Sequence, residues 1–194
     1  GVPFAQFLKL NSEFRYHYRI DKNQMIASRI AGGVIWSYGN ATTAPYTEQF
    51  YIGGANSIRA YSARSIGPGG YPPDKAKKYS YINHVGDIRM EANVEYRFRI
   101  LGDLHGAIFL DAGNVWLMRK DKDRPDGQLT LKNFPKQVAL GTGAGLRYDL
   151  DFLVFRFDWG VALHDPYDTG KKGYYNIPKF KDGMAWHFAI GYPF

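Results

Sequence analysis

The stretch Asp87-Ile88-Arg89-Met90-Glu91-Ala92-Asn93-Val94-Glu95-Tyr96-Arg97-Phe98-Arg99-Ile100 decides how the rest of the chain is read. Side chains of an extended strand alternate between two faces. Here Ile88, Met90, Ala92, Val94, Tyr96, Phe98 and Ile100 fall on one face, and Asp87, Arg89, Glu91, Asn93, Glu95, Arg97 and Arg99 on the other. One face is wholly apolar and the other wholly polar. At about 14 residues the run is also long, since strands of water-soluble domains usually have 5 or 6.

The same period of two extends outward in both directions, giving about seven segments. In the first, Leu8, Leu10, Phe14, Tyr16, Tyr18 and Ile20 oppose Lys9, Asn11, Glu13, Arg15, His17 and Arg19. The second runs from Met25 to Tyr38, with Ile26, Ile30, Val34, Trp36 and Tyr38 in phase. After the quoted stretch come His105–Trp116, Val138–Tyr148, Leu153–Ala162 and Met184–Phe194. The chain is therefore predicted to be all-β.

Alternation alone does not choose between water and lipid, because a soluble sandwich also has one apolar and one polar face. Length favours lipid: a tilted membrane strand needs about 9–11 residues for the hydrocarbon alone. The connections alternate, short at Asp21–Gln24, Leu101–Asp103 and Asp149–Phe152, long at Gly39–Gly86, Leu117–Gln137 and Leu163–Gly183. That asymmetry characterises transmembrane antiparallel β-barrels. Aromatic residues near strand ends (Trp36, Tyr38, Phe98, Trp116, Phe194) are placed to form interfacial girdles. A Lys or Arg on the lipid face costs about 2–4 kcal/mol at the bilayer midplane. The charged faces must then look into the barrel lumen.

Composition narrows the classes further. The chain has 194 residues, with 15 Tyr, 13 Phe, 4 Trp and 22 Gly, a profile of strands and tight turns. It has no Cys, which excludes disulfides and thiolate metal sites. The net charge is +7, but the basic residues neither cluster on a helix nor accompany a nucleic-acid motif, so no nucleic-acid partner is expected. His17, His84, His105, His164 and His187 are scattered, with no metal-ligand spacing. No Gly-x-Ser-x-Gly elbow is present. Neither cofactor, metal nor enzymatic activity is expected. Gly141-Thr142-Gly143-Ala144-Gly145 lacks the Lys-Ser/Thr of a phosphate loop. Its glycines instead fall on the lumenal face of segment five and leave a groove, where another backbone can approach closely. The opening Gly1-Val2-Pro3 is no signal peptide, so the segment is expected to lie downstream in a longer precursor.

Two stretches carry a family resemblance. Trp186, Phe188, Ile190, Tyr192 and Phe194 fall in phase at the chain's end, which resembles the C-terminal signal strand of bacterial outer-membrane proteins. Phe50-Tyr51-Ile52-Gly53-Gly54-Ala55-Asn56-Ser57-Ile58-Arg59-Ala60-Tyr61 resembles the motif loop of the BamA/TamA superfamily of outer-membrane assembly factors, in which Gly-Gly precedes Val/Ile-Arg-Gly-Phe/Tyr. Gly86-Asp87, Glu95, Phe109–Trp116 and Phe155-Arg156-Phe157-Asp158 follow in the family's order, so the resemblance covers nearly the whole chain.

The resemblance implies that residues 1–194 are the C-terminal portion of a sixteen-strand barrel, strands ten to sixteen, with residues 39–86 as the long inserted loop. It implies a Gram-negative outer-membrane location, a non-enzymatic role in assembling, inserting or translocating proteins, and periplasmic domains in the missing part. Partners would be the lipid bilayer, unfolded outer-membrane clients and accessory assembly proteins. Two unpaired strand edges would also lead an isolated segment to pair with another copy. By resemblance Arg59 reaches into the lumen and pairs with Glu95 and Asp111. Arg156 and Asp158 join the lumenal charge network. Ala60 departs from the family glycine, at a cost of about 1–2 kcal/mol if that position requires a positive φ. The terminal strand would form a weak seam, with Gly191 able to kink it and Pro193 removing a ladder donor. The alternatives are a passive pore or receptor barrel, or the barrel anchor of an upstream lipase domain.

Overall fold

Residues 5–73 and 80–194 are described by the computed structural model. Seven strands form one antiparallel sheet in sequence order: β1 (Gln6–Arg19), β2 (Gln24–Tyr38), β3 (Ile88–Leu101), β4 (Leu104–Trp116), β5 (Ala139–Asp149), β6 (Val154–His164) and β7 (Met184–Ile190). Each strand pairs with its neighbours in the chain, whether the connection is short or long. Turns at residues 20–23, 102–103 and 150–153 lie at one end of the sheet, and the long connections lie at the other.

The two faces have inverted solvent exposure relative to a soluble domain. Leu8, Phe14, Ile30, Trp36, Ile108, Phe157, Phe188 and Ile190 keep between 44% and 69% of their surface bare. On the opposite face Arg59, Glu95, Asp111, Arg147, Arg156 and Asp158 are sealed from solvent. A water-soluble sandwich buries the apolar face and wets the charged one. Here the hydrophobic effect acts on the exposed face only when lipid covers it.

Register carries the alternation from strand to strand. Ile30 stands opposite Phe14 and Ala92, and Val94 stands opposite Ser28 and Leu110. A one-residue slip would turn every charged side chain of a strand toward lipid, so register is strongly specified. An apolar cluster of Ile35, Phe50, Ile52, Ile58, Ile66, Val115 and Ala162 lies where the β2–β3 loop meets the charged face near the long-loop end.

Two expectations need correction. Trp116 is not an interfacial girdle residue: it is buried, stacked on Phe134 at 5.4 Å, with its indole N–H donating to Gln137. The β4–β5 connection covers Trp116, and the β2–β3 loop covers Val115 on the opposite face. The terminal strand does not run to Phe194. It stops at Ile190, because Gly191 adopts φ +86°, where the alternating phase is lost. Trp186, Phe188 and Ile190 face outward as the phasing predicts, whereas Tyr192-Pro193-Phe194 turns inward and Phe194 is buried, so it too lies away from any girdle.

Candidate functional site

The β2–β3 connection folds back across the charged face. An isolated bridge closes its base: Phe50 N–H donates to Gly86 O at 2.9 Å and Gly86 N–H to Phe50 O at 2.8 Å. Gly53 and Gly54, at φ +91° and +94°, reverse the chain. A Cβ on Gly53 would sit 2.2 Å from Ser62 O, so only glycine fits that crossing. A turn at Ile58-Arg59-Ala60-Tyr61 follows, closed by Tyr61 N–H donating to Ile58 O at 3.1 Å. Ile58 is buried in the apolar cluster, and the Tyr61 hydroxyl donates to His164 O at 2.6 Å. Burial pushes the Tyr61 phenol well above its ordinary pKa.

Arg59 is fully buried at the tip of this turn. Its Nε donates to Asp111 Oδ2 at 2.9 Å and one terminal nitrogen to Asp111 Oδ1 at 2.9 Å, a bidentate fork. The other terminal nitrogen pairs with Glu95 Oε2. Its backbone N–H also donates to Asp111 Oδ2, at 3.0 Å. The guanidinium lies 3.5 Å from the Phe109 ring centroid. Burial opposes the positive charge, but Asp111 and Glu95 more than offset it, and the pKa lies above the ordinary arginine value.

The rest of the tip is held by other wall residues. Ser57 Oγ donates to Glu91 at 2.8 Å, and Asn93 Nδ2 bridges Ser57 O and Asp111 Oδ1. Arg29 reaches Asn56 O at 2.9 Å and Glu91 at 2.6 Å, while Arg156 donates to Asn56 Oδ1 at 2.6 Å. Arg147 links Glu95 at 3.1 Å to Asp158 at 2.6 Å, and Arg156 lies 3.4 Å from Asp158. Arg59, Glu95, Asp111, Arg156 and Asp158 thus belong to one connected network. Sequence phase places Glu91, Asn93 and Arg97 on the right face. The same phase puts Arg29 and Arg147 there too, but their partners become visible only through strand register.

The glycine groove has a mixed occupancy. Gly141 accommodates the loop, since a Cβ there would meet the Ala60 methyl at 2.3 Å. Gly143 instead makes room for the Phe109 ring, and Gly145 for Arg147 and Asp158. Gly160, which sequence reading passes over, is the closest approach of the loop backbone: a Cβ would lie 2.1 Å from Arg59 O. Ala60 carries no left-handed strain. Among the described non-glycine residues, positive φ falls at Arg64, Asp126 and Asp151.

The C-terminal tail enters the same interior from the short-turn end. The Phe194 ring lies 5.6–5.9 Å from the guanidinium carbons of Arg29, Arg59 and Arg97, and Arg97 donates to Phe194 O at 3.0 Å. Arg97 also covers the Tyr192 ring, at 4.6 Å.

A bare apolar exterior, a charged interior and a loop clasped inside define the wall of a transmembrane β-barrel. Over residues 4–194 the sequence matches the Omp85 superfamily domain, and the chain belongs to that superfamily. It is 27% identical over 184 residues to the outer membrane protein assembly factor BamA of Nitratidesulfovibrio vulgaris, covering 94% of this chain and 20% of the relative. The corresponding protein of Neisseria meningitidis serogroup B is 32% identical over 89 residues, 43% of this chain and 11% of that protein. The crystal structure of BamA from Haemophilus ducreyi lacking POTRA domains 1-3 superposes with a TM-score of 0.64 at 16% identity, covering 96% of this chain and 35% of that one. This chain therefore spans a small part of each relative's length. Its location is the Gram-negative outer membrane.

Proposed function

We propose that this chain is the C-terminal part of the barrel of a non-enzymatic factor that assembles other proteins into the outer membrane. Its clients would be unfolded outer-membrane proteins, handled with accessory assembly proteins and with domains outside residues 1–194. The observation that carries this reading is the docked loop, with the buried Arg59 held by Glu95 and Asp111. A passive pore has no need of a loop fastened across its lumen by a buried network. The last strand supports the same reading. β7 contributes 7 residues to its pairing with β6, Val161↔Met184 to Phe155↔Ile190, whereas β1 contributes 14 to its pairing with β2. A short last pairing forms a seam that opens at low cost, and once open it offers an edge to an incoming strand.

The test uses the full-length protein in cells depleted of the wild-type copy. Arg59→Ala should lower the level of other folded outer-membrane proteins at least severalfold, even when the variant itself reaches the membrane. Arg59→Lys should restore assembly only in part, because an ammonium cannot reproduce the planar fork on Asp111. Undiminished client assembly by a correctly inserted Arg59→Ala barrel would sink the proposal.

A further inference from the structure

The lumenal face of β7 is nearly featureless. Ala185, His187 and Ala189 look inward, and of these only His187 has a polar side chain. Its Nε2 lies 2.9 Å from the backbone carbonyl oxygen of Arg59, which accepts from the ring N–H. Among the described residues this is the one side-chain hydrogen bond from β7 to the docked loop.

The acceptor is well chosen. The backbone N–H of Arg59 is fixed by Asp111, and its side chain by Asp111 and Glu95. Its carbonyl rests on Gly160 of β6, which leaves no room even for a methyl. The position of that oxygen is therefore dictated by loop docking, and a tip that has left the wall removes the acceptor altogether. On the other side, β7 contributes only seven residues to its pairing with β6, against fourteen in the pairing of β1 with β2. A single added hydrogen bond is a larger fraction of what holds this short pairing than it would be for a longer one.

The geometry points to His187 as a latch that couples the last strand to the state of the lumenal loop. With the tip docked, His187 holds β7 in register on β6. With the tip withdrawn, β7 loses that restraint and its edge frays, so the loop governs how readily the seam opens. His187 acts as a positioning residue through Arg59 and touches no client. The latch rests on the assembly reading only for its purpose, not for its existence.

The experiment is hydrogen–deuterium exchange of the full-length protein in lipid nanodiscs, with no client present, followed on peptides covering β7, the loop tip and β1–β2. His187→Leu keeps side-chain volume but removes the donor. It should speed exchange in β7 by a factor of roughly 3–10, the range of one neutral hydrogen bond, and leave β1–β2 unchanged. His187→Gln places an amide N–H at similar reach and should restore most of the protection. Arg59→Ala should deprotect β7 as well, and adding His187→Leu to it should produce no further increase. Unchanged β7 exchange in His187→Leu, equal deprotection by His187→Gln, or additive effects of Arg59→Ala and His187→Leu would overturn the latch. If the coupling is present but His187→Leu and Arg59→Ala both leave client assembly intact, the latch stands and the assembly reading falls.

Discussion

Two segments pack against the charged face of the sheet, and they are held there in different ways. The loop tip at Asn56–Tyr61 is fitted like a core element. Its arginine is forked onto Asp111, its methyl fills the space at Gly141, and its backbone lies directly on Gly160. The tail at Tyr192–Phe194 is held by softer means: guanidinium–ring contacts, three on Phe194 at 5.6–5.9 Å and one on Tyr192 at 4.6 Å, a hydrogen bond from Arg97 to Phe194 O, and a long one from the Tyr192 hydroxyl to Asp149 at 3.4 Å. Gly191, the pivot of the tail, has open space around it. Directional ion pairs with no spare volume make a two-state contact, docked or not. Diffuse cation–ring attraction tolerates displacement. The loop is thus built as a switch, and the tail as a cushion.

This contrast is most exposed to failure at Asp111. Asp111→Ala removes two side-chain bonds and one backbone bond from Arg59 and leaves the guanidinium buried with Glu95 alone. Removing one partner of a buried pair costs about 3–5 kcal/mol. The unfolding midpoint of the full-length barrel in detergent, converted with its denaturant slope, should fall by that amount. A loss under about 1 kcal/mol, the level of an exposed pair, would show that the tip is not clamped.

A steric test sharpens the same side of the comparison. Gly141→Ala brings two methyl carbons to 2.3 Å and should destabilise by about 1–3 kcal/mol through overpacking. Ala60→Gly removes the opposing methyl, so the double variant should recover most of the loss. If Gly141→Ala costs as much in the Ala60→Gly background as it does with Ala60 in place, the loop does not press on β5.

The tail should respond least. Phe194→Leu retains apolar volume but loses its ring contacts with Arg29, Arg59 and Arg97, a loss of about 1–2 kcal/mol at most. Loop-tip protection in hydrogen exchange should be unaltered. If Phe194→Leu deprotects the tip as strongly as Asp111→Ala does, the distinction between switch and cushion collapses.

The same contrast explains what is legible in the sequence. The faces of β1–β4 follow from alternation, because a lipid-facing charge is too costly to be placed casually. The pairing of Arg59 with Glu95 and Asp111 comes from the motif's resemblance, while phase supplies only that both acids point inward. Gly160 and His187 give no local signal: each matters because register brings it beneath Arg59, and register is a property of neighbouring strands. The tail departs from its sequence phase for a related reason. Phe194 and Tyr192 continue the alternation of Trp186, Phe188 and Ile190, but a positive φ at Gly191 resets the phase, and periodicity cannot see a single dihedral.

The anchors of the loop tip are scattered along the chain: Arg29 on β2, Glu91 and Glu95 on β3, Asp111 on β4, Arg156 on β6 and His187 on β7. The loop itself precedes most of them in sequence, so it must wait. Docking cannot finish until strands made well after it have found their registers. A slip in β3, β4, β6 or β7 turns at least one anchor away. Arrival of Arg59 in its socket is accordingly a late event in the life of the chain. It serves as a checksum on the wall, completed only when each strand that carries an anchor has been entered in order.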